Sequence, residues 1–162
     1  MSKDKKSILL IDDHDLILQG IKYIVDQIPE INRFCTASSG EEADKWLSSQ
    51  HFDLYILDLE LPDVSGFDLI DRIREKDANA RIIVNTMHDE IWNVSRLLQM
   101  EVSSVILKSS NIQEVKQAIL TVLSGKRYFC NHFEQLQRKL KNTDAGVFPN
   151  DVLTTREMDV LQ

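Results

Sequence analysis

The chain has 162 residues, enough for one domain and the beginning of a second. Apolar residues make up 43% and charged residues 28%, a globular balance that excludes a disordered tail. The net charge of −7 opposes generic nucleic-acid binding, and no apolar run reaches the ~18 residues of a membrane span.

Met1 to Lys6 is polar, and the apolar stretch after it, Ile8 to Ile11, is too short for a signal-peptide core. Cys35 and Cys130 lie far apart and form no metal-spaced pair. That usage suits a reducing compartment, and the cytoplasm is the expected location.

In chain order, short β-branched or aliphatic runs alternate with helical patterns. The first run is Ser7–Ile11, followed by Ile17, Ile21, Ile24, Val25 and Ile28 at helical spacing and then Pro29. Arg33–Ala37 comes next, and Ser39 with Glu42 forms a capping box that opens a second helix. Asp53–Leu57 precedes a third helix, capped by Ser65, with Phe67, Ile70 and Ile73 or Leu69 turned inward. Arg81–Thr86 leads to a helix over Asp89–Met100 that carries Ile91, Val94, Leu97 and Leu98. Ser104–Leu107 leads to the clearest stripe, Ile112, Val115, Ala118, Ile119, Val122 and Leu123, stopped by Gly125. Continuous apolar runs suit strands buried on both faces, and each gap holds one crossover helix. The expectation is α/β: a (βα)5 doubly wound, parallel five-stranded sheet over residues 1–129.

Residues 130–151 read as a linker with one short helix, His132–Lys141, that would line up Phe133, Leu136 and Leu140. From residue 152 a new helix is expected, with Thr154 and Glu157 as a capping box and Leu153 at the staple position. The sequence ends inside that helix.

Ligands in doubly wound folds bind beyond the carboxyl ends of the strands. Asp12 and Asp13 follow the first strand, and Asp58 closes the third. Unit charges ~5 Å apart at an effective dielectric of ~20 repel by about 3 kcal/mol per pair. Ionised together they need a cation, and hard carboxylate oxygens suit Mg²⁺. Thr86 ends the fourth strand and Lys108 follows the fifth, which adds a hydroxyl and an ammonium. Such a set can neutralise a phosphoryl group while a carboxylate attacks it. The histidines, His14, His51, His88 and His132, show no ligand spacing and are expected at the surface or at strand ends.

Residues 7–129 resemble the receiver domain of two-component response regulators. The motifs that carry the resemblance are LLIDDHD at the first strand end, YILDLELPDVSGFDLI around Asp58, VNTMHDE around Thr86 and VILKSS around Lys108. The tail's LTTRE resembles the LTPRE that opens the LuxR-type helix-turn-helix of the NarL/FixJ family. The resemblance implies a flavodoxin-like receiver fold with a helical C-terminal extension. It implies Asp58 as acceptor of a phosphoryl group from a sensor histidine kinase, acting as a switch rather than an enzyme. It implies Mg²⁺ on Asp13, Asp58 and the Glu60 carbonyl, with Asp12 acting through water. Thr86 and Lys108 would hold the phosphoryl oxygens, and Pro62 and Gly66 match the loop after the acceptor.

Two departures stand out. Val105 occupies the position where receivers carry an aromatic switch residue, and Glu101-Val102-Ser103-Ser104 lacks the family's usual glycines. The LTTRE tail favours a regulator of transcription, with a homodimer as a candidate assembly. Promoter DNA would be a partner of the uncut protein only. The alternative is a stand-alone receiver or phosphorelay intermediate acting on a protein partner. An aspartyl-phosphate hydrolase would need a DxD pair, which Asp58-Leu59-Glu60 only imitates.

Overall fold

The computed structural model describes residues 5–87, 91–131 and 133–139, with the backbone alone at 91–94. Eleven elements run in order: β1 (Lys6–Ile11), α1 (Asp15–Asp26), β2 (Ile31–Ala37), α2 (Gly40–Ser49), β3 (Leu54–Leu57) and α3 (Gly66–Lys76). They continue with β4 (Ile82–Thr86), α4 (Ile91–Gln99), β5 (Ser104–Leu107), α5 (Ile112–Leu123) and β6 (Tyr128–Phe129). A further helical stretch covers 133–139.

All strand pairs are parallel, and the order is β2-β1-β3-β4-β5-β6. The chain turns from one side of β1 to the other between β2 and β3, so the switch point lies outside the ends of β1 and β3. The two-residue period of a strand sends neighbours to opposite faces. Leu9, Ile11, Tyr55, Leu57, Ile82 and Val84 join the layer holding α2, α3 and α4. Ile8, Leu10, Leu54, Ile56 and Ile83 join the layer holding α1 and α5. Both faces are covered, which explains the unbroken apolar runs.

β6 is an addition to the five expected strands. It is only two residues long and pairs through Ser104↔Tyr128 and Val105↔Phe129. Behind it, Cys130 and Phe133 are buried in the α2/α3/α4-side core, with Leu136 packed against them. Phe129 and Phe133 stack at 5.1 Å between ring centroids. The domain's core thus draws in residues that read in sequence as the start of a linker. The expected Leu140 contact, the segment 140–151 and the helix from 152 lie outside the described residues.

Helix ends show how local chemistry sets the boundaries. Ser39 accepts the Glu42 N–H at 3.1 Å. The Glu42 carboxylate reaches Ser38 rather than Ser39, accepting its N–H at 2.7 Å. The capping box therefore closes one residue earlier than its usual form. Ser65 caps α3 by accepting from Phe67. Asn111 caps α5 by accepting from Glu114, and Gly125 ends that helix at φ 95°.

Glu101, in the stretch that lacks the family's glycines, sits at φ 55°. Its carbonyl accepts from Arg74 Nη2 at 3.1 Å, so the backbone is held there. A left-handed conformation costs a side-chain-bearing residue ~1–2 kcal/mol, partly offset by glycine's greater unfolded entropy. Glu101→Gly is expected to raise stability by about 0.5–1 kcal/mol, read from urea unfolding midpoints. A lowered midpoint would contradict this strain.

Candidate functional site

The register Ile11↔Leu57 sets the ends of β1 and β3 level. The Asp58 N–H donates to the Ile11 carbonyl at 3.1 Å, and the Asp12 N–H donates to the Ala37 carbonyl at 3.0 Å. Ladder hydrogen bonds thus fix the backbone beneath both carboxylates. Asp12 is fully buried, and Asp58 is 2% exposed.

Lys108 follows β5, and its N–H donates to the Thr86 carbonyl at 3.0 Å. Its side chain reaches past the end of β4. The ammonium lies 2.9 Å from Asp58 Oδ2 and 3.1 Å from Asp12 Oδ2. Two buried carboxylates therefore share one buried cation. Asp13, more exposed, adds a third acid at the rim. Thr86 is buried at the end of β4, between the strands that deliver Asp58 and Lys108.

His14 enters this cluster. Its backbone N–H donates to Asp12 Oδ1 at 2.9 Å, which folds the chain back after the two aspartates. Its ring Nδ1 lies 2.6 Å from Asp12 Oδ1, 3.3 Å from Asp13 Oδ1 and 2.8 Å from Lys108 Nζ. One ring nitrogen cannot donate to the carboxylate and accept from the ammonium at once.

The residues fit a cation. Oxygens of Asp12, Asp13 and Asp58 and a ring nitrogen of His14 all lie within 4.8 Å of one another. Asp12 Oδ2 is buried and receives no hydrogen bond despite its nearness to the ammonium. Three carboxylates face a single ammonium here, so the pocket keeps an excess of negative charge that a cation would neutralise. The pocket of Asp12, Asp13 and Asp58 can bind a metal ion.

The loop after Asp58 is tightly folded. The Glu60 N–H donates to Asp58 Oδ1 at 3.2 Å, and Glu60 bridges to Ser65. The Gly66 N–H donates to the Leu59 carbonyl at 2.8 Å. Pro62 lies exposed on this loop. Asp63 accepts the N–H groups of Gly40 at 2.7 Å and Glu41 at 3.0 Å, which pins the loop to the start of α2. The Gly40 N–H, chiefly, holds the Asp63 carboxyl below its ordinary range. Val105 is buried beneath the site, on the strand that leads to Lys108.

The sequence profile of the response regulator receiver domain matches residues 8–120. The chain belongs to the response regulator receiver family. Receivers of this family are phosphoacceptor switches that answer to a sensor kinase. This receiver is 33% identical to the response regulator UvrY of Escherichia coli K12, over 96% of the chain and 72% of that protein. It is 27% identical to the nitrate/nitrite response regulator NarL of Escherichia coli K12, over 99% of the chain and 76% of that protein. A solved LuxR-family response regulator from Aurantimonas sp. SI85-9A1 superposes with a TM-score of 0.78 at 27% identity, covering 86% of this chain and 99% of that one. The receiver is thus homologous to transcription-regulating members of the NarL/UvrY group. No helix among the described residues is long and apolar enough to cross a membrane.

Asp12, Asp13, Asp58 and Lys108 come together as their strand-end positions indicated. Sequence reasoning missed two contributors. His14 lies at a strand end as expected, but its ring turns into the cluster, and no ligand spacing marks that turn. Asp63 reaches α2 across a separation of 23 residues, for which no local signal exists.

Proposed function

We propose that Asp58 accepts a phosphoryl group from a phosphohistidine of a sensor kinase and thereby switches a transcription-regulating output. The observation that carries this reading is the buried Asp58 carboxylate held 2.9 Å from the Lys108 ammonium beside a second acidic strand end. One carboxylate oxygen of Asp58 attacks phosphorus, the P–N bond breaks, and the imidazole leaves with that electron pair and takes up a proton. The product is an acyl phosphate on Asp58. Lys108 is positioned to follow the new negative charge, and the Thr86 hydroxyl to donate to a second phosphoryl oxygen. Mg²⁺, which neutralises charge on the transferring group, would be held by Asp13, Asp58 and the Glu60 carbonyl, with Asp12 acting through water.

The proposed organisation is a receiver over 1–129, a linker over 130–151 and the first residues of a LuxR-type helix-turn-helix over 152–162. Its support is the LTTRE run and the likeness to NarL and UvrY. In helix-turn-helix proteins the second helix reads bases, and promoter DNA is the proposed partner of that output. A homodimer and a cytoplasmic setting complete the proposal.

Acetyl phosphate with Mg²⁺ is expected to add one phosphoryl group to the wild type and none to Asp58→Asn, as read by intact mass. Equal labelling of the variant would refute Asp58 as acceptor.

A further inference from the structure

A pocket of about 120 Å³ opens between α1 and α5, at the ends of β4 and β5. Its walls are largely aliphatic: Ile17, Ile21 and Ile24 from α1, Leu107 from β5 and Val115 from α5. Asn85 also lines it. This residue interrupts the aliphatic run of β4, is 3% exposed, and its Oδ1 has no hydrogen-bond partner among the described residues. A buried acceptor without a donor is costly, and an aliphatic residue would fill the same space without that cost. Packing alone does not account for the amide.

The mouth carries a second anomaly. Gly20 lies inside α1 on the pocket's wall, where glycine weakens a helix relative to alanine. A Cβ there would meet nothing within 4 Å, so no neighbour among the described residues requires the glycine. Beside it, Leu16 is 83% exposed. The aliphatic walls, the orphaned acceptor and the open mouth are explained together by something that enters.

We propose that this pocket binds a small, single-ring molecule bearing one hydroxyl or amine. The donor meets Asn85 Oδ1, and the ring lies among the isoleucines of α1. At about 120 Å³ the pocket is somewhat smaller than the closed cavity of about 150 Å³ that accommodates benzene, and its open mouth leaves room for the far edge of the ring. A flat partner surface would not reach Asn85 at its depth.

Phenol and toluene titrated separately into the ¹⁵N-labelled full chain test this by NMR. Phenol is expected to shift the amides of Ile21, Asn85 and Leu107 saturably, with an affinity at least about tenfold above toluene's, the factor one hydrogen bond of ~1.4 kcal/mol supplies. Asn85→Leu should remove that preference, and Gly20→Leu, a change on the helix surface, should weaken both probes by filling the mouth. Absence of saturable shifts at these amides, or a phenol preference retained in Asn85→Leu, overturns the proposal. So does a probe-free shift of the same amides with protein concentration, which would mark the pocket as a contact between copies of the chain.

Discussion

Replacing Lys108 with methionine is expected to lower the domain's stability by about 3 kcal/mol in the absence of divalent cation. The ammonium is the charge shared by Asp12 and Asp58, and all three side chains are almost wholly buried. Without it, two carboxylates remain out of water beside each other, with Asp13 adding like charge at the rim. Removing one partner of a buried ion pair is more damaging than the pair's net worth, because the other charge stays desolvated. Two rescues follow. Millimolar Mg²⁺ should restore part of the loss, since it replaces the missing positive charge. The double variant Lys108→Met with Asp58→Asn should be more stable than Lys108→Met alone, since one buried charge is gone. Urea unfolding with and without Mg²⁺ measures all of this. A Lys108→Met chain as stable as the wild type, and indifferent to Mg²⁺, would show that Lys108 does not stabilise the cluster.

Gly66→Ala is expected to cost about 2–3 kcal/mol and to impair labelling of Asp58. A Cβ on Gly66 would fall 2.5 Å from Leu59 Cα and 2.6 Å from the Asp58 carbonyl oxygen. Those atoms belong to the main chain that carries the acceptor, so relief requires the loop to move. The clash and the chemistry are thus linked: the backbone that must shift is the backbone that aims Asp58. Gly20 offers the contrast, because a Cβ there meets nothing within 4 Å. Urea unfolding and acetyl phosphate labelling of Gly66→Ala provide the check. Wild-type stability together with wild-type labelling would mean that the loop yields freely.

The strands were legible because a buried parallel sheet needs unbroken aliphatic runs, and these stand out between helical stripes. Asp12, Asp58 and Lys108 were legible for a related reason. Each sits one residue beyond a run, and a parallel sheet gathers such positions along one edge. β6 was hidden because Tyr128–Phe129 is too short to show a period. The turn of the His14 ring toward Asp12 depends on a side-chain rotation that spacing does not encode. The bond from Asp63 to α2 is set by tertiary packing alone. Glu101 shows the converse. The sequence lacks glycine in that stretch, yet the backbone adopts a glycine-like angle, so the turn is imposed by its surroundings.

The short sixth strand has a mechanical meaning. Tyr128 N–H bonds to the Ser103 carbonyl and Cys130 N–H to the Val105 carbonyl, while Arg127 Nη2 holds the Val102 carbonyl. Residues 127–130 are therefore tied by hydrogen bonds to β5 and the residues just before it, beside the core packing of Cys130 and Phe133. The same strand leads directly into Lys108. Val105 is coupled to the outgoing chain by a main-chain bond, its carbonyl accepting the Cys130 N–H at 3.2 Å. A displacement of β5 at this edge would reach residues 127–130 through main-chain hydrogen bonds, which change length little.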